Sequence, residues 1–381
     1  MPACKTGLQS ILEIPASDLC LLIMDTSLFD YELPAGRIAQ SPATRRDASK
    51  LLVVDRLTGV TSHHVFSDLP DLLPSGSQLF RNVAAVLKAR IHANLPTGGK
   101  VECLLLHPGE TPEAWWCLLK PGRKLQCGKT FGLEGIFSAT VLQKNEDGQC
   151  LVQFDCEEGR TVQDLAEDVG QLPLPPYIDR GKDALQAAED SERYQTVYAN
   201  PSKKVAAAAP TAGLHFTEKL VANLQGRGFS FHDLLLRIGL GTFKPVQTER
   251  LEDHPMHSET YSIPPGTLSA LQENVPGPRV AIGTTSVRTI EDALRKLPNQ
   301  TAKTQAFESE ASLFLYPPEK FMGVDALITN FHLPRSTLLC LVSAFLTPES
   351  TDGIEWLKKI YTEALQKGYR FYSYGDAMLI L

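Results

Sequence analysis

The sequence predicts an α/β protein: a partial, open barrel-like α/β domain carrying an inserted all-β, barrel-like domain. Three observations carry this expectation. After residue 178 the chain alternates apolar runs of strand length with segments of helical periodicity, the pattern of a largely parallel sheet. Between 73 and 172 short apolar runs are instead punctuated by Gly, Pro, Asn and Asp, as in antiparallel strands joined by hairpins. Polar tags then recur just past the strand-like runs, where α/β enzymes build their sites. Residues 24–72 and 173–381 are assigned to the α/β domain, 73–172 to the insertion and 1–23 to a loose N-terminal extension.

The elements follow in order. The apolar run LCLLIM (19–24) is six residues long, too short for a signal peptide or a membrane span, so a cytoplasmic protein without membrane contact is expected. Met24 offers an alternative start. Leu51-Leu52-Val53-Val54 reads as a buried strand. In the insertion, KVECLLL (100–106), AWWCLLK (114–120), IFSATVL (136–142) and CLVQFDC (150–156) read as strands, with a turn at NEDG (145–148). Two tandem prolines within PLPPYI (173–178) stiffen the exit. VAAAAPT (205–211) leads into a helix bearing Phe216, Leu220, Val221 and Leu224, with Gly226 as its stop. RVAIGT (279–284) leads into a helix with Ile290 and Leu294 inward. Ile354, Leu357, Ile360, Tyr361 and Leu365 mark an amphipathic helix closed by Gly368.

Composition narrows the function. Of 381 residues, 43% are hydrophobic and 21% charged, ordinary for a globular protein. The net charge of −7 argues mildly against a polyanion partner, since such binding rests on Lys and Arg. The eight cysteines form no CxxC pair and no compact framework, which argues against a zinc or iron–sulfur site and against disulfides.

Each tag supports a functional and a bland reading. His215, at the mouth of a helix in APTAGLHF (209–216), reads as a general base or hydrogen-bond donor, or else as a capping residue. His332, in Asn330-Phe331-His332, follows a strand-like run and points to the cleft. His254, His257 and Glu259 lie within HPMHSE (254–259). Their spacing fits no helical metal pair, so a Glu–His pair for proton transfer is preferred over a metal or a solvated loop. Gly283-Thr284-Thr285-Ser286 precedes a helix and suits an anion, with Arg288 one turn on as a carboxylate or phosphate clamp. The bland reading is ordinary capping. Gly239-Leu240-Gly241-Thr242-Phe243 lacks the third glycine and the later acid of a dinucleotide fingerprint, leaving close backbone approach to a ligand. Asp376 ends an aromatic run with Tyr374 that suits a cation or a stacked base, or simply a core strand.

Together these tags resemble the S-adenosylmethionine:tRNA ribosyltransferase-isomerase family of the queuosine pathway. The resemblance spans about 24–381 and rests on FDYELP, RDASKLLVVDR, PLPPYI, APTAGLHFT, GLGTFKPV, HPMHSETY, GTTSVRT, DALITNFHLPRSTL and YRFYSYGDAMLI. It implies two substrates, S-adenosylmethionine as ribosyl donor and a tRNA whose wobble base is a 7-deazaguanine with an aminomethyl arm. The product would be epoxyqueuosine-tRNA, with adenine and methionine released. The sulfonium acidifies the ribose 5′ C–H, adenine is eliminated, the arm's amine attacks, and ring closure expels methionine. No metal or redox cofactor is implied, and a monomer is expected. On this resemblance His215, His257, Glu259 and His332 would move protons. Thr284, Thr285 and Arg288 would hold the methionine carboxylate or a tRNA phosphate. Tyr374 and Asp376 would face adenosine or the flipped base. Thr211, Gly213, Gly241, Thr242 and Asn330 complete the expected binding set. One departure stands out: the family's Asn-Asp/Asn-Thr-Arg-Val segment is Asn82-Val83-Ala84-Ala85-Val86 here, so Arg81 or Arg90 would have to replace the missing arginine. An enzyme of the same fold acting on a non-tRNA acceptor is the alternative, and a non-catalytic tRNA binder a third reading.

Overall fold

Four strands run side by side in parallel, Ser230–Leu236, Gln78–Asn82, Arg279–Ile282 and Ala326–Asn330, and the last three are almost wholly buried. Strands covered on both faces carry continuous hydrophobic runs, as Val280–Ile282 and Ala326–Ile328 do here. The computed structural model of the chain describes residues 24–157, 159–180, 184–206, 208–239, 245–273, 276–297 and 305–381. Among these, the parallel strands form the middle of a nine-stranded open sheet. Glu259–Ile263 and Phe307–Ala311 extend one edge antiparallel. Ala377–Ile380 pairs antiparallel with Ala326–Asn330 and parallel with Lys50–Val54, and Thr61–Val65 closes the other edge. The sheet is therefore mixed, whereas a largely parallel one was expected.

Helices Thr284–Lys296, Thr337–Leu346 and Gly353–Gln366 cover one face through Val287, Ile290, Val342, Phe345, Leu357 and Ile360. The last ends as the sequence reads: Gly368 takes φ 73°, and Tyr369 N–H returns to Ala364 O. The helix Glu218–Gly226 lies on the opposite face with Leu220 and Leu224 buried. Its left-handed residue is Gly228, two places beyond the expected stop.

A second core is a six-stranded barrel. Arg90–Asn94, Lys100–Pro108, Ala114–Lys120, Cys150–Cys156, Phe137–Lys144 and Thr130–Leu133 pair in that order, and Asn94 opposite Gly132 closes the ring. Alternate residues such as Ile91, Val101, Trp115, Val141 and Val152 fill it. The helix Val162–Val169 adds Val162, Leu165 and Ala166 to that core. The α/β class with an inserted barrel is thus present. The expected boundary at 73 needs correction: Gln78–Asn82 belongs to the large sheet, where both faces are buried and Arg81 pairs with Asp233 of the next strand at 2.7 Å.

Candidate active site

The carboxyl ends of Arg279–Ile282 and Ala326–Asn330 lie side by side, as do the first turn of Thr284–Lys296 and the loop before Ala377–Ile380. Open α/β sheets place their crevices at such strand ends. A cleft of about 700 Å³ opens here, walled by Thr211, Thr284, Thr285, Asn330, His332 and Tyr372. A second cavity of about 560 Å³ shares Thr284, Thr285 and Leu338 with it and extends to His254, His257, Glu259 and Arg288. Thr211, Thr284, Thr285, Asn330 and His332 thus share one cleft, and His257, Glu259 and Arg288 the cavity beside it.

The helix Thr284–Lys296 begins at Gly283, where φ is 89°, and no side chain caps it. Its first turn, flanked by Gly283 in the wall, offers backbone N–H groups and the positive end of a helix dipole. The neighbouring helix Thr337–Leu346 is capped by its own Ser336, so the contrast is local. Three polar atoms of the wall residues are buried without a protein partner: Thr285 Oγ1, Asn330 Oδ1 and Tyr372 Oη. Buried polar atoms ordinarily find partners, and three that do not belong to residues of this one cleft. Tyr372 is also held at φ 73°, a costly region for a tyrosine that turns its residue towards the cleft wall. Its ring packs against Tyr177, centroids 4.2 Å apart, giving the cleft an aromatic side.

The two histidines behave differently. His332 lines the cleft; its Nε2 is 2.8 Å from Thr329 Oγ1, and Tyr361 and Tyr31 hold its backbone. His215 does not reach the cleft. It sits behind Asn330, with Nδ1 2.7 Å from Ser49 Oγ and Nε2 3.1 Å from Asn330 Nδ2. Burial pushes both imidazoles down to about 3, aided at His215 by the charges of Arg370 and Arg46. Both rings are therefore neutral at physiological pH. An unfolded histidine titrates near 6.5, so below that pH the unfolded chain takes up protons that the native state refuses. Stability is fully present above about pH 6.5 and is expected to fall towards pH 3, by on the order of 1.4 kcal/mol per pH unit from each ring. Urea unfolding at pH 7 and pH 5 checks this, and equal midpoints would contradict it.

In the second cavity Arg288 donates to Glu259 Oε2 at 2.8 Å, His257 O at 2.7 Å and Ala311 O at 2.5 Å. Glu259 Oε1 accepts the Gly239 N–H at 2.8 Å. The expected clamp and the expected proton carrier are thus engaged with each other, which leaves His257 as the cavity's titratable ring beside His254. Among the described residues no group of three or more His, Cys, Asp or Glu side chains is placed to hold a metal, and no helix is long and apolar enough to cross a membrane.

Comparison with known proteins decides the family. Residues 26–380 match the family described as queuosine biosynthesis protein. The chain belongs to the queuosine biosynthesis protein family. It is 43% identical over 360 residues to the S-adenosylmethionine:tRNA ribosyltransferase-isomerase of Thermotoga maritima, covering 94% of this chain and 100% of that protein. It is 45% identical over 359 residues to the enzyme of that name from Gloeobacter violaceus, covering 93% and 96%. A crystal structure of S-adenosylmethionine tRNA ribosyltransferase from Thermotoga maritima aligns with a TM-score of 0.51 and 34% identity, over 93% of this chain and 100% of that one.

Within this queuosine-family cleft some expected residues are absent. Asp376 is buried and its oxygens accept from Lys50 N at 3.0 Å and Arg370 N at 2.8 Å, so it ties the chain end to a strand. Tyr374 donates to Asp190 at 2.7 Å and packs edge-on to Tyr194. Neither lines the cleft; within that aromatic run Tyr372 does, while Tyr374 and Asp376 are satisfied in the core. Gly213 serves packing: a Cβ there would lie 2.0 Å from Tyr198 Oη. Gly241 and Thr242 lie outside the described residues. The altered segment 82–86 lines neither cavity, and Arg81, stacked on Tyr198 and Phe231 as well as paired with Asp233, is not available to a ligand. Sequence reasoning gave no individual role to Tyr177, Tyr372 or Ser49. All three lay inside motifs quoted for other reasons, PLPPYI, YRFYSYGDAMLI and RDASKLLVVDR.

Proposed function

We propose that this chain transfers and isomerises the ribosyl group of S-adenosylmethionine onto the aminomethyl arm of a 7-aminomethyl-7-deazaguanine wobble base in tRNA, releasing adenine and methionine. The observation that carries the site assignment is the set of three orphaned polar atoms around one cleft beside an uncapped helix start. That helix start suits the methionine carboxylate. The faces of Tyr177 and Tyr372 suit the sulfonium. Burial keeps the Tyr372 phenol protonated, a donor for a nucleoside oxygen or nitrogen. His332, neutral and on the cleft wall, offers a ring nitrogen as a hydrogen-bond partner for the nucleoside. His257 is the proton carrier, in the adjoining cavity. A flipped base entering the joined cavities would bring its amine to the opened ribose. tRNA substrates fit the cytoplasmic location expected from the sequence.

The test uses S-adenosylmethionine labelled in the ribose and tRNA bearing the aminomethyl base. Free adenine with label retained on tRNA is expected. Adenine without labelled tRNA would support the non-tRNA acceptor, and neither product would overturn the assignment. The altered segment 82–86 lies away from the cleft, so nothing in the structure favours that alternative.

A further inference from the structure

Asn330 is 2% exposed, and its amide is held by two contacts: Nδ2 lies 3.1 Å from His215 Nε2 and 3.3 Å from Tyr372 O. The carbonyl of Tyr372 can only accept, so the nitrogen must face it; the reversed amide would set oxygen against oxygen. Both amide protons are then committed, the second to His215. That requires a lone pair on His215 Nε2 and places the ring proton on Nδ1, which donates to Ser49 Oγ at 2.7 Å. The Ser49 hydroxyl in turn donates to Arg46 O at 3.2 Å. One arrangement satisfies every member, and it leaves Asn330 Oδ1 buried and unpaired on a residue of the cleft wall.

We infer that His215 is a positioning residue, which locks Asn330 so that Oδ1 accepts a hydrogen bond from an uncharged N–H or O–H donor of the bound nucleoside. The inference rests on the adenosylmethionine reading above and refines it. It also revises the proton-transfer role expected for His215, whose ring packs at a tilt against Phe66, centroids 5.0 Å apart, and is separated from the cleft by the asparagine. The low basicity of the buried ring keeps Nε2 an acceptor throughout the physiological range.

The test is a double-mutant cycle on kcat/KM for S-adenosylmethionine, with the tRNA saturating. Asn330→Leu is expected to lower it by about 10- to 10²-fold, the cost of leaving a buried substrate donor without its acceptor. His215→Leu should lose much of that factor, because only the 3.3 Å bond to Tyr372 O then holds the amide. His215→Gln, whose amide oxygen can accept the same proton, should stay within about tenfold of wild type. His215→Leu added to Asn330→Leu should cost little more, since a residue acting only through Asn330 has nothing left to position. Additive losses, or His215→Gln as poor as His215→Leu, would overturn the positioning role. If His215→Leu does not fold, Ser49→Ala takes its place in the cycle, with a smaller loss expected and the same non-additivity. Wild-type turnover is the reference: its absence would sink the functional reading and this inference together, whereas additivity in an active enzyme would remove only the inference.

Discussion

Replacing Thr285 by valine and Tyr372 by phenylalanine together is expected to stabilise the ligand-free protein and to cripple it as an enzyme. Each substitution removes a buried hydroxyl that has no protein partner and keeps most of the side chain's shape. A buried unpaired polar group costs about 1–3 kcal/mol, so the double variant should unfold at higher urea than wild type. In the proposed site the same hydroxyls contact the ligand. Losing two such bonds should lower kcat/KM for adenosylmethionine by roughly 10²- to 10³-fold. The ligand should also protect the variant less against heat, since stabilisation by a ligand follows its affinity. A variant that is less stable and fully active would mean that the hydroxyls serve the fold, and the cleft would lose its main support.

Arg288→Leu is expected to act in the opposite sense, on the fold first. Its guanidinium joins Glu259 and two backbone carbonyls from separate segments, and both charged side chains are largely buried. Removing the guanidinium takes the opposite charge away from a buried carboxylate and leaves two carbonyls without their donor, a loss of about 3–5 kcal/mol. Adding Glu259→Gln should restore part of it, because the amide oxygen still accepts the Gly239 N–H without a charge to neutralise. Urea unfolding of the single and double variants measures both effects. Unchanged stability with a raised KM would return Arg288 to the clamp role that its position in GTTSVRT first suggested.

These two cases show what the sequence could and could not reveal. The strand-end placement of Thr284, Thr285, Asn330 and His332 was legible because buried parallel strands are continuous apolar runs and the polar residue that follows must lie at the sheet's end. The barrel was legible from hairpin punctuation. Gln78–Asn82 was not: five residues with two polar ends have no period, and only the neighbouring strands reveal that both faces are covered. Residue type also misled. Asp376 and Tyr374 look chemical in isolation, yet a backbone N–H at 2.8 Å and a carboxylate at 2.7 Å satisfy them within the core. His215 belongs to the site only through Asn330, a relation created by a contact 115 residues apart in the chain.

The most direct test is a crystal structure of the protein with S-adenosylmethionine bound. The ligand should lie in the cleft between Tyr372 and the start of the helix Thr284–Lys296. Its carboxylate should meet that helix, and its donors should bond Asn330 Oδ1. A ligand seated in the barrel, or in the cleft with Thr285 Oγ1, Asn330 Oδ1 and Tyr372 Oη still unpaired, would contradict the assignment.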